Sequence, residues 1–295
     1  MKQFKGIFPA IVTPFRADES IDFQALQALV ERNLAQGVSG FYVSGTTGES
    51  FLMSHEERIQ LIEAVCGIVN GRCDVIANVG TFSTRRSIEI AQAAVRSGAA
   101  AVSAVPPFYF PYSKQEIQNY YLELARGAGT GVVIYNIPKM SGVGFSTQEL
   151  LELLAHPEVV GIKQTTYDLY QTETLLRSCG QKTVFNGHDE ILLPALSAGA
   201  KAAIGSTFGI IPDVYLSLIR HFEAGELDRA RALQGKANAF LDVLLSIGIF
   251  KAIKAVLKIQ GLDCGDCCKP FEAVDRAQYQ QLEAALLELY KDGID

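Results

Sequence analysis

Val132-Val-Ile-Tyr135 and Val159-Val-Gly-Ile-Lys163 are short, β-rich apolar runs, and between them Ser146-x-x-Glu149 opens a helical pattern over roughly Thr147–Leu154. Strand, helix and strand within about thirty residues make one βαβ unit. Outward from it the unit repeats. Further apolar runs stand at Gly6–Val12, Gly40–Val43, Val75–Val79, Ala101–Val105, Thr183–Phe185 and Ala202–Ile204, which brings the strands to eight. Helical patterns follow the other strands over roughly Phe23–Gln36, His55–Val69, Arg85–Ser97, Lys114–Arg126, Leu169–Ser178, Glu190–Ser197 and Pro212–Glu223. Ser54-x-x-Glu57 and Ser113-x-x-Glu116 have the capping-box spacing of helix starts, and Gly37, Gly98 and Gly199 mark helix ends.

The strands are near-continuously apolar, as strands covered on both faces should be. Eight such units fit a (β/α)8 TIM barrel, which commonly takes about 250 residues. A doubly wound open sheet is the alternative, but the first strand–helix turn carries no G-x-G-x-x-G. The barrel with its active site is expected over residues 1–225. Residues 226–295 read as amphipathic helices packed on it as a C-terminal extension, with apolar faces that could form an oligomer surface.

The chain has 295 residues, 48% apolar and 20% charged, with net charge −6. That length and balance suit one large folded domain and give no basic footprint for nucleic acid. No apolar run reaches the length of a membrane helix. The start, Met1-Lys-Gln-Phe-Lys5, has no signal-peptide pattern, so a cytoplasmic location is expected. Of six cysteines, Cys66, Cys73 and Cys179 stand singly. Cys264-Gly-Asp-Cys267-Cys268 has a zinc-like C-x-x-C spacing but lacks two further ligands nearby, so free thiols in a turn are expected and no metal site.

Barrel chemistry sits at the carboxyl ends of the strands. The second strand runs into Ser44-Gly-Thr-Thr-Gly-Glu49, whose backbone N–H groups form either an ordinary turn or a cradle for a carboxylate or phosphate. Tyr135 ends the fifth strand and alone could be a packing residue. Lys163 ends the sixth, and either snorkels to the barrel rim or is kept there for chemistry. Strands five and six should pair and bring the two within reach. An amine beside a phenol in a half-dry pocket is the equipment of Schiff-base catalysis. An ordinary lysine is neutral only about once in 2,500 at pH 7, so desolvation must favour the free amine. The seventh strand ends in Asn186-Gly-His-Asp-Glu190, where Asp189 could cap the next helix, bind a ligand, or both. The eighth ends in Gly205-Ser-Thr207, and Tyr109 lies on the loop after the fourth. His55, His156 and His221 suggest solvated positions.

Gly45-Thr-Thr-Gly-Glu49, Tyr135-Asn-Ile-Pro138, Gly161-Ile-Lys-Gln-Thr165 and Gly205-Ser206, in this order, resemble the pyruvate-dependent class I aldolase family of N-acetylneuraminate lyase and dihydrodipicolinate synthase. The likeness runs from about Lys5 to Tyr290. Lys163-Gln-Thr-Thr-Tyr-Asp-Leu-Tyr-Gln171, Asn186-Gly-His-Asp-Glu190 and Pro107-Phe-Tyr-Phe-Pro-Tyr-Ser113 resemble its lyase branch. The synthase branch usually has an arginine shortly after the tyrosine motif, where this chain has Lys139-Met140-Ser141. Thr46-Thr47 resembles the synthase, and His188 stands where the lyase often has tyrosine.

The resemblance implies a lyase that cleaves N-acetylneuraminate to N-acetylmannosamine and pyruvate with no cofactor beyond a covalent Schiff base on Lys163. It implies Tyr135 as proton relay with help from the Thr47 hydroxyl, and Thr46 and Thr47 N–H groups on the carboxylate. Gly187, Asp189, Glu190 and Ser206 would hold the polyhydroxy tail, with Thr165 nearby. It further implies a homotetramer in which Tyr109 approaches a neighbouring subunit's tyrosine. A synthase or other 2-keto acid aldolase would share Lys163 and Tyr135; a non-catalytic sugar-acid-binding barrel would not need them.

Overall fold

In the computed structural model, which describes residues 2–291, 293 and 294, the apolar runs form eight parallel strands. They are β1 (Gly6–Pro9), β2 (Gly40–Val43), β3 (Asp74–Asn78), β4 (Ala101–Ala104), β5 (Val132–Asn136), β6 (Val159–Gln164), β7 (Thr183–Asn186) and β8 (Ala202–Gly205). Each neighbours the next, and β8 pairs with β1. A parallel bridge between Ala10 and Tyr42, with the Ile11 N–H donating to the Tyr42 carbonyl at 3.2 Å, closes the ring between β1 and β2. The architecture is the (β/α)8 barrel. Met1, Asp292 and Asp295, assigned to the ends of the two segments, lie outside the described residues.

The strands are buried on both sides because alternate side chains face different apolar layers. Phe8, Tyr42, Val133, Tyr135 and Phe185 fill the barrel interior. Ile7, Val43, Ile134 and Ile162 face the surrounding helices. Edge-to-face packing of Phe8 on Phe185, 5.6 Å between centroids, is one of the interior contacts.

One irregularity sets the register that matters. Val132 pairs with Val159, but Val133 pairs with Gly161, so Val160 is an extra residue on β6. A Cβ on Gly131 would come within 2.3 Å of the Val160 side chain, so glycine there makes room for the bulge.

The capping boxes at Ser54, Ser113 and Ser146 are all formed, and Gly37, Gly98 and Gly199 take left-handed φ past their helix ends. The helix expected from Glu190 opens instead as a 3-10 turn, Asp189–Ile191, before Leu192–Ser197. Asp189 does not cap it, because its carboxylate is bonded elsewhere. A short helix, Pro138–Ser141, follows β5 ahead of the capped helix Thr147–Ala155.

After residue 225 come helices Leu227–Ile247, Ile249–Ile259 and Arg276–Tyr290. The apolar face of the first, including Leu233, Phe240 and Leu244, is buried within the chain rather than left open as an oligomer surface. It packs on helix Pro212–Glu223 and on the Asp189–Ile191 turn, so the extension reaches the carboxyl end of the barrel. No helix among the described residues is long and apolar enough to cross a membrane.

Candidate active site

Lys163 and Tyr135 are register partners across β5 and β6. The lysine is only 5% exposed, so it does not snorkel to the rim. Its Nζ lies 4.0 Å from the centre of the Tyr135 ring and 4.7 Å from that of Tyr42. Among the described residues no carboxylate makes an ion pair with it, and two phenol rings face the amine. Tyr42 donates to the Ser103 hydroxyl at 3.1 Å, and burial pushes its phenol well above the ordinary range. Tyr42 escaped the sequence reading, although its place as an inward residue of Gly40–Val43 could have signalled it.

The loop after β2 is held rigidly. Ser44 and Glu49 adopt left-handed φ of 57° and 58°, strained for non-glycine residues. Buried Arg58 fixes the near end, donating to the Ser44 hydroxyl at 3.1 Å and to the Gly80 and Asn78 carbonyls at 2.9 Å. Burial lowers its pKa to about 10. At the far end Glu49 makes a fully buried ion pair with Lys254 at 2.8 Å and accepts from the Cys268 N–H at 2.8 Å. Between them stand Thr46, half-buried, and Thr47, buried. The Thr47 hydroxyl meets that of Ser206 at 2.7 Å, joining the loops after β2 and β8. Lys254, one of three lysines on the apolar helix Ile249–Ile259, was the available signal for its pair with Glu49.

At the ends of β7 and β8, Asp189 is buried and accepts from the Thr207 N–H at 2.7 Å and hydroxyl at 2.6 Å. The Thr207 hydroxyl also meets Tyr215 at 2.7 Å. A Cβ on Gly205 would stand 2.1 Å from Asp189 Oδ1, so only glycine lets the carboxylate lie there. Burial raises the Asp189 pKa against the pull of these hydrogen bonds. Thr165 is buried beside Gly187, and its hydroxyl has no hydrogen-bond partner among the described residues. From helix Leu227–Ile247, Gln234 donates to the Asp189 carbonyl at 3.2 Å and Asn238 to that of Glu190 at 3.1 Å. Neither was anticipated.

Glu190 accepts from the Tyr167 hydroxyl at 2.5 Å and lies 3.3 Å from His188 Nδ1. Burial pushes its carboxyl up, but the bonds from His188 and Tyr167 outweigh that and hold its pKa at about 2. Tyr109 is not gathered into this cluster: it is 85% exposed on the loop after β4, with φ of 80°. Lys139 and Met140 are exposed on the short helix after β5. Cys264, Cys267 and Cys268 are buried free thiols, pushed up by burial to about 12, 12 and 11. Among the described residues no three His, Cys, Asp or Glu side chains group as a metal site. His55 and His221 are half-buried beside Glu89 and Glu226 rather than solvated.

A lysine amine, a phenol, a hydroxyl-bearing loop and the buried carboxylate of Asp189 thus stand at the carboxyl ends of the strands of one barrel. The chain is 39% identical over 284 residues to N-acetylneuraminate lyase of Rhizobium meliloti (strain 1021), covering 96% of this chain and 95% of that protein. Its fold matches CdNal from Clostridium difficile, solved in complex with mannosamine, with a TM-score of 0.95 at 28% identity over 98% of this chain and 100% of that one. It matches wild-type Ruminococcus gnavus sialic acid aldolase with a TM-score of 0.94 at 31% identity, over 98% and 97% of the two chains. The family model of the dihydrodipicolinate synthetase family matches residues 3–289, and the chain belongs to that family.

Proposed function

We propose that this protein is an N-acetylneuraminate lyase, a class I aldolase that cleaves N-acetylneuraminate to N-acetylmannosamine and pyruvate. The observation that carries the reading is the buried Lys163 amine held against the Tyr135 ring at the carboxyl end of the barrel. The near-full-length likeness to proteins named N-acetylneuraminate lyase supports the substrate.

In this reading the free amine of Lys163 attacks the C2 carbonyl of the open-chain sugar acid and water leaves, giving an iminium. Tyr135 gives its proton to the carbinolamine hydroxyl as that leaves as water; the resulting phenolate takes the C4 hydroxyl proton as the C3–C4 bond breaks, and the electron pair moves into the iminium to form an enamine. N-acetylmannosamine departs; protonation at C3 and hydrolysis release pyruvate and restore the amine. The protein's own iminium is the electron sink, so no cofactor is assigned. The Thr47 hydroxyl assists the relay, and the Thr46 and Thr47 N–H groups hold the carboxylate on a loop that Arg58 and Glu49 keep in place. Thr165, Gly187, Asp189, Glu190 and Ser206 bind the tail. Asp189 acts chiefly by shaping that pocket, since Thr207 already engages its carboxylate.

A homotetramer is part of the proposal. Phe51, Phe82 and Phe110 are exposed around Tyr109, and the Phe51, Phe82 and Phe108 rings cluster at 4.7–5.6 Å. An exposed aromatic patch of this kind suits a subunit contact through which Tyr109 reaches a neighbouring site. A cytoplasmic location is proposed with it, in keeping with six free thiols. The deciding assay offers N-acetylneuraminate, and separately pyruvate with aspartate semialdehyde. Pyruvate and N-acetylmannosamine from the first support the lyase; turnover of the second alone would assign the synthase activity.

A further inference from the structure

Tyr167, on the loop after β6, is 59% exposed, yet both parts of its side chain are engaged. Its ring stacks on His188, with centroids 4.3 Å apart and planes within 10°. Its hydroxyl donates to Glu190 Oε1 at 2.5 Å, the same oxygen that lies 3.3 Å from His188 Nδ1. Asn238 fixes the Glu190 backbone from the other side. A glutamate at a loop mouth ordinarily samples many rotamers, and a ligand that uses it must first order it. Here two side chains on different loops order it in advance. A carboxylate offers about four lone-pair directions, so two donors on one oxygen still leave acceptors for substrate hydroxyls.

We propose that Tyr167 is a positioning residue that sets specificity for the long polyhydroxylated tail, by holding Glu190 and, with His188, joining the loops after β6 and β7 into one wall. The inference rests on the lyase reading, in which Glu190 binds that tail. The stack leaves the amine end of the pocket to itself: among the described residues neither Lys163 nor Tyr135 makes a hydrogen bond, ion pair or ring contact with Tyr167 or His188. Preorganising Glu190 removes an ordering cost from tail binding only. The consequence is a division: Tyr167 governs affinity for the sugar half of the reaction and not for pyruvate.

The test is Tyr167→Phe, which keeps the stacked ring, removes only the hydroxyl, and lies at an exposed position where the fold is not at stake. In the synthetic direction, with pyruvate and N-acetylmannosamine, the KM for the sugar should rise about 3- to 10-fold, a part of what a charged hydrogen bond is worth. The KM for pyruvate and the rate of condensation with glyceraldehyde, too short to reach Glu190, should stay within about twofold of the parent. Tyr167→Ala, which also removes the stack, should raise the sugar KM further. An unchanged sugar KM in Tyr167→Phe, or an equal rise for pyruvate and glyceraldehyde, would overturn the proposal. A parent that forms the pyruvate adduct but makes no product from N-acetylmannosamine would overturn the substrate reading, and this inference with it.

Discussion

Lys163 stands opposite Tyr135 because β6 carries one residue, Val160, that has no counterpart on β5. Without that bulge the register would carry Lys163 to Asn136 and put Ile162 beside the phenol. A slip of one residue exchanges the two faces of a strand, so the amine and the phenol would no longer share the barrel interior. The Lys163–Tyr135 pair is therefore a product of sheet register as much as of residue identity.

Tyr135→Phe keeps the ring against the Lys163 amine and removes the hydroxyl proposed to relay the proton. Its kcat should fall about 10²- to 10⁴-fold, while borohydride trapping of the pyruvate adduct persists. Steady-state kinetics beside mass spectrometry separates the two effects. A parental kcat would move the proton relay to another group.

The Glu49–Lys254 pair predicts a coupled stability effect. Lys254→Met leaves a buried carboxylate without its cation and should cost about 3–5 kcal/mol in urea unfolding. Adding Glu49→Gln should recover part of that loss, because no unpaired charge then remains. Independent, additive losses would show that the pair does not work as a unit.

Asp189→Ala and Glu190→Ala should differ in kind. Asp189→Ala strips the Thr207 N–H and hydroxyl of their acceptor in a buried site, so about 1.5–3 kcal/mol of stability should go with substrate affinity. Glu190→Ala should raise the KM for N-acetylneuraminate with pyruvate adduct formation intact, and its stability loss should fade as pH falls from about 4 to 2, because the charged carboxylate carries it. A stability loss in Glu190→Ala that is as large at pH 2 as at pH 6 would contradict the distinction.

The depressed pKa of Glu190 sets a pH window. A carboxyl whose folded pKa lies below its unfolded value, about 4.3, adds stability that is fully present above that value. That stability is lost as pH falls through the folded pKa of about 2. Glu190→Gln should therefore be less stable than the parent at pH 6, with the gap closing between about pH 4 and 2. Urea midpoints across that range check it; a gap that stays constant would mean that Glu190 titrates alike in both states.

Strand ends, helix caps and the hydroxyl loop were legible because their signals are local: apolar runs, capping spacings, glycines. Lys163 and Tyr135 could be picked out as polar endings of apolar strands. What stayed hidden depended on distant contacts. Val160 looks like any other residue of its run, and the bulge exists only against β5 and Gly131. Glu49 and Lys254 belong to opposite ends of the chain, and Gln234 and Asn238 gain their roles only when helix Leu227–Ile247 packs over the Asp189–Ile191 turn. Tyr167 lies in a loop without periodicity, where one aromatic carries no signal until its hydroxyl is seen on Glu190.

The account stands on covalent chemistry at Lys163, and trapping the protein with pyruvate and borohydride tests it most directly. One reduced pyruvate adduct per chain should form, peptide mapping should place it on Lys163, and Lys163→Ala and Lys163→Arg should both give none, since a guanidinium stays protonated and cannot attack. An adduct on a different lysine, or full aldolase turnover by Lys163→Ala, would contradict it.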